Sequence, residues 1–168
     1  MKHIFYHLTA VMVVVVWGMT FISTKVLIVH GLSAQEIFLF RFLLAYAAVC
    51  PISFHRFFAR NLKDELYLVG GGVLGGSLFF FLQNIALGLT QASNVSFIIC
   101  MAPLLTAVLT VLSVRTEKVS RGFIYGSIIA LLGVGLLIFN GSFILRISPL
   151  GDLLTLLASL SWAFYSLV

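Results

Sequence analysis

Residues 83–105 read QNIALGLTQASNVSFIICMAPLL and contain the end of one apolar segment, a short uncharged turn and the start of another. Two long apolar segments joined so closely predict an antiparallel helical hairpin inside a bilayer, where every backbone N–H and C=O must be bonded internally. Gln83, Asn84 and Asn94 flank the turn, and Pro103 interrupts the second segment. An amide facing acyl chains is costly, so we expect these amides to face protein or water.

The composition of the whole chain supports the same placement. Of the 168 residues, 61% are hydrophobic and 9% are charged, and the mean hydropathy is +1.17. Soluble domains are about a quarter charged. So few charges cannot cover a water-facing surface, so the chain is an integral membrane protein with the lipid bilayer as a partner. The net charge of +5 does not indicate a nucleic-acid partner, because the basic residues lie between apolar spans.

Six apolar segments are long enough to cross about 30 Å of hydrocarbon at about 1.5 Å per residue. They lie at about 8–29, 37–54, 66–90, 92–114, 122–140 and 150–168. The predicted fold class is therefore all-α, a polytopic membrane helix bundle. No cleavage site follows the first apolar run, which favours a transmembrane helix over a signal peptide. The sixth segment continues to Val168, which is typical of a sequence cut at or within a helix.

The basic residues predict the orientation, because cytoplasmic loops carry an excess of Lys and Arg. Seven of the ten lie on one side of the predicted membrane: Lys2, Arg56, Arg60, Lys63, Arg115, Lys118 and Arg121. The opposite loops contain only Arg146, and Lys25 and Arg41 lie within spans. We therefore expect a multi-pass protein of the cell (inner) membrane with a cytoplasmic N-terminus and a sixth span that begins outside.

The first and sixth spans resemble each other around a central tryptophan. Residues 15–22 read VVWGMTFI and residues 160–167 read LSWAFYSL, which places Trp17 and Trp162 at matching positions. A five-helix unit that is repeated once must be inverted, since five is odd, and inverted repeats are the architecture of many secondary transporters. We therefore predict a five-helix repeat over residues 1–145 and the first helix of an inverted second repeat over residues 146–168.

Several short motifs occur in the order found in one family. They are Trp17-Gly18, Phe40-Arg41-Phe42, Ala86-Leu87, Ala92, Ala102-Pro103-Leu104, Glu117-Lys118-Val119-Ser120, Gly126, Leu132-Gly133-Val134, Gly151-Asp152-Leu153 and Ser161-Trp162-Ala163. In this set the chain resembles the EamA family of the drug/metabolite transporter superfamily. The resemblance implies a ten-helix transporter of two inverted repeats that moves small metabolites, amino acids or drugs. Nearly all of the second repeat is missing from this sequence.

Polar and aromatic residues within the spans are the candidate solute-binding residues. The substrate-binding set that we predict is Trp17, Thr20, Gln83, Asn84, Asn94, Trp162 and Tyr165. Trp17, Thr20 and Thr24 share one helix face, and a buried Trp that only packs against a neighbour is the alternative. Capping of a helix by Asn94 or Ser93 is likewise an alternative to solute contact.

Lys25 and Arg41 are predicted to form an outer cationic rim that attracts an anionic or carboxylate-bearing solute. Snorkelling of both side chains to the interface is the alternative, and Arg41 also has Glu36 within reach. The polar residues lie in the outer parts of their spans and the aromatic residues nearer the middle. We therefore expect a polar vestibule open to the outside, with an aromatic floor and an inner seal packed along Gly70–Gly76 and Leu104–Val114.

The function predicted from these features is secondary transport of a small organic solute by alternating access. The alternative is a truncated, non-transporting membrane subunit that needs a second repeat or partner chain. The sequence contains no pattern typical of an enzyme, a metal site or a cofactor site. No acidic residue lies in the first span, so we expect weak or absent proton coupling through this half.

Overall fold

The computed structural model describes residues 2–53, 59, 61–113, 120–139 and 148–167. The α-helices in these ranges are α1 Lys2–Val29, α2 Ala34–Ser53, α3 Leu62–Gly71, α4 Phe79–Leu89, α5 Ala92–Ile99, α6 Ala102–Ser113, α7 Arg121–Phe139 and α8 Pro149–Tyr165. A π-helical segment, Gly72–Leu78, joins α3 to α4. Four stretches are long and apolar enough to span a membrane: Ile4–Val29, Ala34–Ile52, Leu62–Leu89 and Ala92–Ser113. The prediction of an all-α membrane helix bundle is confirmed.

The predicted fourth span is broken into two helices. α5 ends at Ile99, a turn covers Cys100 and Met101, and α6 begins just before Pro103. Proline has no backbone N–H and its ring clashes with the carbonyl four residues earlier, so a regular helix cannot continue through this point. The predicted interruption at Pro103 is therefore confirmed as a break.

Contacts between neighbouring helices define their directions. Gly151 at the start of α8 lies beside Thr90, and Tyr165 at its end lies beside Gly75, so α8 is antiparallel to α4. Trp17 of α1 lies near the start of α4, and Lys25, further along α1, lies near the end of α4. The two helices therefore run in the same direction. α1 and α8 therefore run in opposite directions, as an inverted arrangement requires. The division into repeats itself stays a prediction.

The core of the bundle is built around α8, which packs against α4, α5, α6 and the π-helical segment. Its buried residues are mostly small: Gly151, Thr155, Ala158, Ser159, Ser161 and Ala163. Small side chains allow the backbones of membrane helices to approach closely. By contrast, most apolar side chains of α1 and α2 are exposed, as suits surfaces that face lipid.

The start of α2 is fixed by a capping box. The Ser33 hydroxyl and backbone N–H both donate to Glu36 Oε2 at 2.8 Å, and the Glu36 N–H donates back to Ser33 Oγ at 3.2 Å. Each side chain thus satisfies a backbone donor that the first helical turn leaves free. The Glu36 carboxylate serves this cap rather than pairing with Arg41, which was one alternative from the sequence.

Candidate functional site

Four aromatic side chains from three helices meet near the middle of the bundle. The ring centroid of Trp162 lies 5.5 Å from that of Trp17, 4.9 Å from that of Phe79 and 5.2 Å from that of Tyr165. We call these four residues the aromatic junction. Tyr165 fits only because Gly75 has no side chain, since a Cβ there would lie 2.5 Å from the ring. Trp17 and Trp162, predicted at matching positions of two spans, are thus in contact.

Two cavities share the tryptophan pair as a common wall. The α5-side cavity, about 710 Å³, lies among α1, α5 and α6, and the α3-side cavity, about 1020 Å³, lies among α1, α3, the π-helical segment and α8. Both volumes are within or near the range typical of small-molecule sites. Trp17 and Trp162 line both cavities. The tryptophan pair is therefore common to the walls of both cavities.

The two cavities differ in chemistry. The α5-side cavity is lined by apolar and aromatic groups with the hydroxyls of Ser93 and Ser96, and no charged side chain is among its lining residues. The α3-side cavity is lined by the aromatic rings of Tyr67, Phe80 and Tyr165 in addition to the tryptophans, and its charged lining residue is Asp64. Among the described residues, the α3-side cavity is therefore the one of the two with a charged side chain in its lining.

Lys25 has a role that sequence reasoning missed. Its Nζ donates to the backbone carbonyl of Leu87 at 2.6 Å and to that of Thr90 at 2.8 Å. These carbonyls lie at the C-terminal end of α4, where the helix leaves acceptors without an intrahelical partner and carries partial negative charge. Lys25 of α1 therefore caps α4.

Arg41 is held inside the packing of three helices. Its Nη2 donates to Thr24 Oγ1 at 3.5 Å, and its guanidinium carbon lies 5.1 Å from the centre of the Phe80 ring. Nη1 is buried and has no hydrogen-bond partner among the described residues. A guanidinium over an aromatic face is favourable, especially away from water. Arg41 thus lies on Phe80 of α4, and it is not among the residues that line either cavity.

Gln83 and Asn84 are both fully buried on α4. Within the part of the chain that the structure describes, neither amide nitrogen nor amide oxygen of these side chains has a hydrogen-bond partner. Neither residue lines the α5-side or the α3-side cavity. We refer to Thr24, Lys25, Arg41, Gln83 and Asn84 together as the polar set.

Thr20 and Asn94 form local hydrogen bonds. Thr20 Oγ1 donates to the Trp17 carbonyl at 2.6 Å, and Asn94 Nδ2 donates to Thr90 Oγ1 at 3.5 Å. α5 begins at Ala92 and its N-cap residue is Gln91, so Ser93 and Asn94, the alternative capping residues, lie in its first turn. Neither Thr20 nor Asn94 lines the α5-side or the α3-side cavity.

The space in the bundle differs from the predicted vestibule. Gly71, Gly72, Gly75 and Gly76 line the α3-side cavity, so the expected tight seal along Gly70–Gly76 is wrong. Glycines leave room beside the backbone, and here Tyr165 fills only part of it. Asp64 and Tyr67, which line this cavity, were missed. The sequence pattern that could have identified them is their helical spacing to Gly71, which puts all three residues on one face of α3.

The described helices form a membrane bundle with two cavities that share Trp17 and Trp162 in their walls. The sequence profile of the EamA-like transporter family matches residues 4–139, which is most of the chain. The chain therefore belongs to the EamA-like transporter family, whose members are drug- and metabolite-permease-type transporters. The matched region includes α1 to α7, and α8 follows it. No curated protein and no solved structure matches the chain.

Proposed function

We propose that the chain is part of a secondary transporter that moves a small organic metabolite or drug across the cell membrane. The observation that carries the proposal is the pair of cavities sharing Trp17 and Trp162. Secondary transporters bind solute near the midplane at the interface of two repeats. α1 and α8 are the corresponding helices of the two predicted repeats, and their tryptophans meet at such a point.

Alternating access in this proposal comes from movement of α1 and α3 relative to α8. The distribution of basic residues favours a cytoplasmic N-terminus of α1 and a cytoplasmic start of α3. The α3-side cavity would then open inward and the α5-side cavity outward, with the tryptophan pair between them. A second repeat or a partner chain would complete the wall beyond α8.

A flux assay tests the proposal. The full chain is reconstituted into liposomes loaded with a panel of radiolabelled amino acids, nucleosides and aromatic amines. At least one solute should leave faster than from protein-free liposomes, and Trp17→Ala should abolish the difference. Failure of every solute on the panel contradicts autonomous transport. Flux that appears only after a second repeat is supplied supports the partner-dependent subunit instead.

The orientation is tested separately by thiol labelling in cells. Cys50 and Cys100 are replaced by Ala, and single cysteines are placed at Ser33 or at Asn61, which immediately precede α2 and α3. A membrane-impermeant maleimide should label the cysteine at position 33 in intact cells and the cysteine at position 61 only after the membrane is opened. The reverse pattern would overturn the assignment of a cytoplasmic N-terminus.

A further inference from the structure

We propose that the α3-side cavity binds a planar aromatic monocation, with the Trp17, Trp162 and Tyr165 rings of the aromatic junction around it and Asp64 as its counter-charge. The inference rests on the proposed transport function and names the solute class for that site. It differs from the anionic solute that the positions of Lys25 and Arg41 suggested from sequence.

The aromatic lining is the first observation behind this assignment. Trp17, Trp162, Tyr165, Tyr67 and Phe80 all line the α3-side cavity. The faces of aromatic rings carry partial negative charge, so they attract cations and stack with flat π-systems, and tryptophan does both best. A solute that is both planar and positively charged uses both properties of this wall.

The charge of the lining is the second, independent observation. Asp64 is the charged residue among those that line the cavity, and its Oδ2 accepts one long bond from Asn61 Nδ2 at 3.5 Å. Asp64 and Lys63 are both exposed, and of the two only Asp64 is among the lining residues. Asp64 and Gly71 share a face of α3 about 10 Å apart along the axis. Tyr165 contacts the Gly71 end of that face, so a ring at the junction points its positive end toward Asp64.

The cations of the polar set do not line the α3-side cavity, although Arg41 lies over the ring of Phe80, which does. Lys25 Nζ is bonded to two carbonyls of the α4 end, and Arg41 lies over Phe80 and bonds Thr24. Neither residue lines either cavity. An anion in the α3-side cavity would meet the Asp64 carboxylate and the negative faces of the rings, and both would repel it.

The two tryptophans make the binding test direct, because Trp17 and Trp162 are the only tryptophans of the chain. The full chain in detergent micelles is titrated with N-methylquinolinium at neutral pH, and quenching of tryptophan fluorescence is measured. N-acetyltryptophanamide in the same micelles corrects for collisional quenching. Neutral quinoline and anionic naphthoate, of similar ring size, then compete with the quencher. We expect saturable quenching, and naphthoate should compete at least about tenfold more weakly than quinoline.

Charge variants separate the role of Asp64 from that of the rings. Asp64→Asn should weaken N-methylquinolinium binding about fivefold and leave quinoline unchanged, and Asp64→Glu should restore cation binding. Lys63→Gln is the matched control, because it changes a charge one residue away outside the cavity, and it should not weaken binding. Equal weakening of cation and neutral ligand by Asp64→Asn would refute the counter-charge.

The outcomes distinguish the solute class from the site. Naphthoate that competes more tightly than quinoline overturns the cationic class but keeps a binding site at the tryptophan pair, and therefore the proposed function. Quenching that is not saturable, with no effect of any competitor, overturns both the class and the site. These results are obtained with the unchanged chain, so they do not depend on whether a variant folds.

Discussion

The aromatic junction and the polar set lie on the same helices but have different surroundings. Trp17 and Lys25 are both on α1, and Phe79 and Gln83 are one turn apart on α4. The tryptophans border both cavities, whereas Lys25 and Gln83 lie within the contacts between helices. Gln83 is fully buried and Lys25 is half-buried, and neither lines either cavity, whereas Trp17, Trp162 and Tyr165 border one or both cavities.

Backbone chemistry in lipid explains this difference. Free carbonyls at the end of a membrane helix have few water partners, so a nearby cation such as Lys25 bonds to them. Aromatic side chains have large apolar surfaces and few bonds to satisfy, so they can border a cavity at little cost. A polar residue within a membrane span is therefore weak evidence for a solute site, even though placing it in lipid costs free energy, because helix packing can also account for it.

The largest expected effect tests the packing of the aromatic junction. Gly75→Ala places a Cβ 2.5 Å from the Tyr165 ring, inside any permitted contact distance. Overpacking of this kind costs about 1–3 kcal/mol, and we expect about 3 kcal/mol of lost unfolding free energy. The measurement is unfolding in mixed micelles by titration with sodium dodecyl sulfate, followed by tryptophan fluorescence.

The chain offers a matched control and a rescue for this variant. Gly72 is in the same π-helical segment, and an added Cβ there meets nothing within 4 Å, so Gly72→Ala should be nearly neutral. Combining Gly75→Ala with Tyr165→Ala should remove the clash and recover part of the loss. If Gly72→Ala costs as much as Gly75→Ala, the effect comes from the backbone and not from contact with the junction.

The second largest loss of stability is expected from removing the hydrogen bonds between Lys25 and the end of α4. Lys25→Met keeps the length of the side chain but removes both bonds to the end of α4. Hydrogen bonds to charged groups contribute about 1.5–3 kcal/mol, and some water can reach a helix end, so we expect a loss of about 2 kcal/mol. Lys25→Arg should keep most of the stability. Binding of N-methylquinolinium by the folded Lys25→Met protein should be unchanged, and a specific loss of binding would place Lys25 at the solute.

A smaller effect concerns the bond that ties α8 to the π-helical segment. Ser161 Oγ donates to the Leu74 carbonyl at 2.8 Å. Interhelical hydrogen bonds in membranes average about 0.6 kcal/mol, so Ser161→Ala should lower the unfolding free energy by about that amount. Ser166→Ala is the control, because Ser166 Oγ bonds only a carbonyl of its own helix, at Trp162. Equal losses in both variants would argue against a specific role of the bond to Leu74.

The sequence predicted the features that depend on local composition. Long apolar runs gave the membrane helices, and Pro103 gave the break between α5 and α6, since each follows from hydropathy or backbone chemistry alone. The contacts of Lys25 could not be predicted in this way, because its acceptors at Leu87 and Thr90 are distant in sequence and depend on how α1 packs on α4. Asp64 was missed because an acid next to Lys63 at the end of a span is typical of a solvated loop.

The smallest effect on stability gives the sharpest test of the polar set. Asn84 is fully buried, and its side-chain amide has no hydrogen-bond partner among the described residues. Replacing such a group by an apolar one of similar size removes a desolvation cost without breaking a bond. Asn84→Leu should therefore leave the unfolding free energy unchanged or raise it by up to about 1 kcal/mol.

Asn94→Leu is the control, because Asn94 bonds Thr90 and its loss should destabilise the protein. If Asn84→Leu instead destabilises the chain as much as Asn94→Leu, its amide has a partner in the folded protein. If Asn84→Leu leaves the fold intact and abolishes solute flux, Asn84 belongs to the solute pathway. The contrast between the aromatic junction and the polar set then does not hold for Asn84.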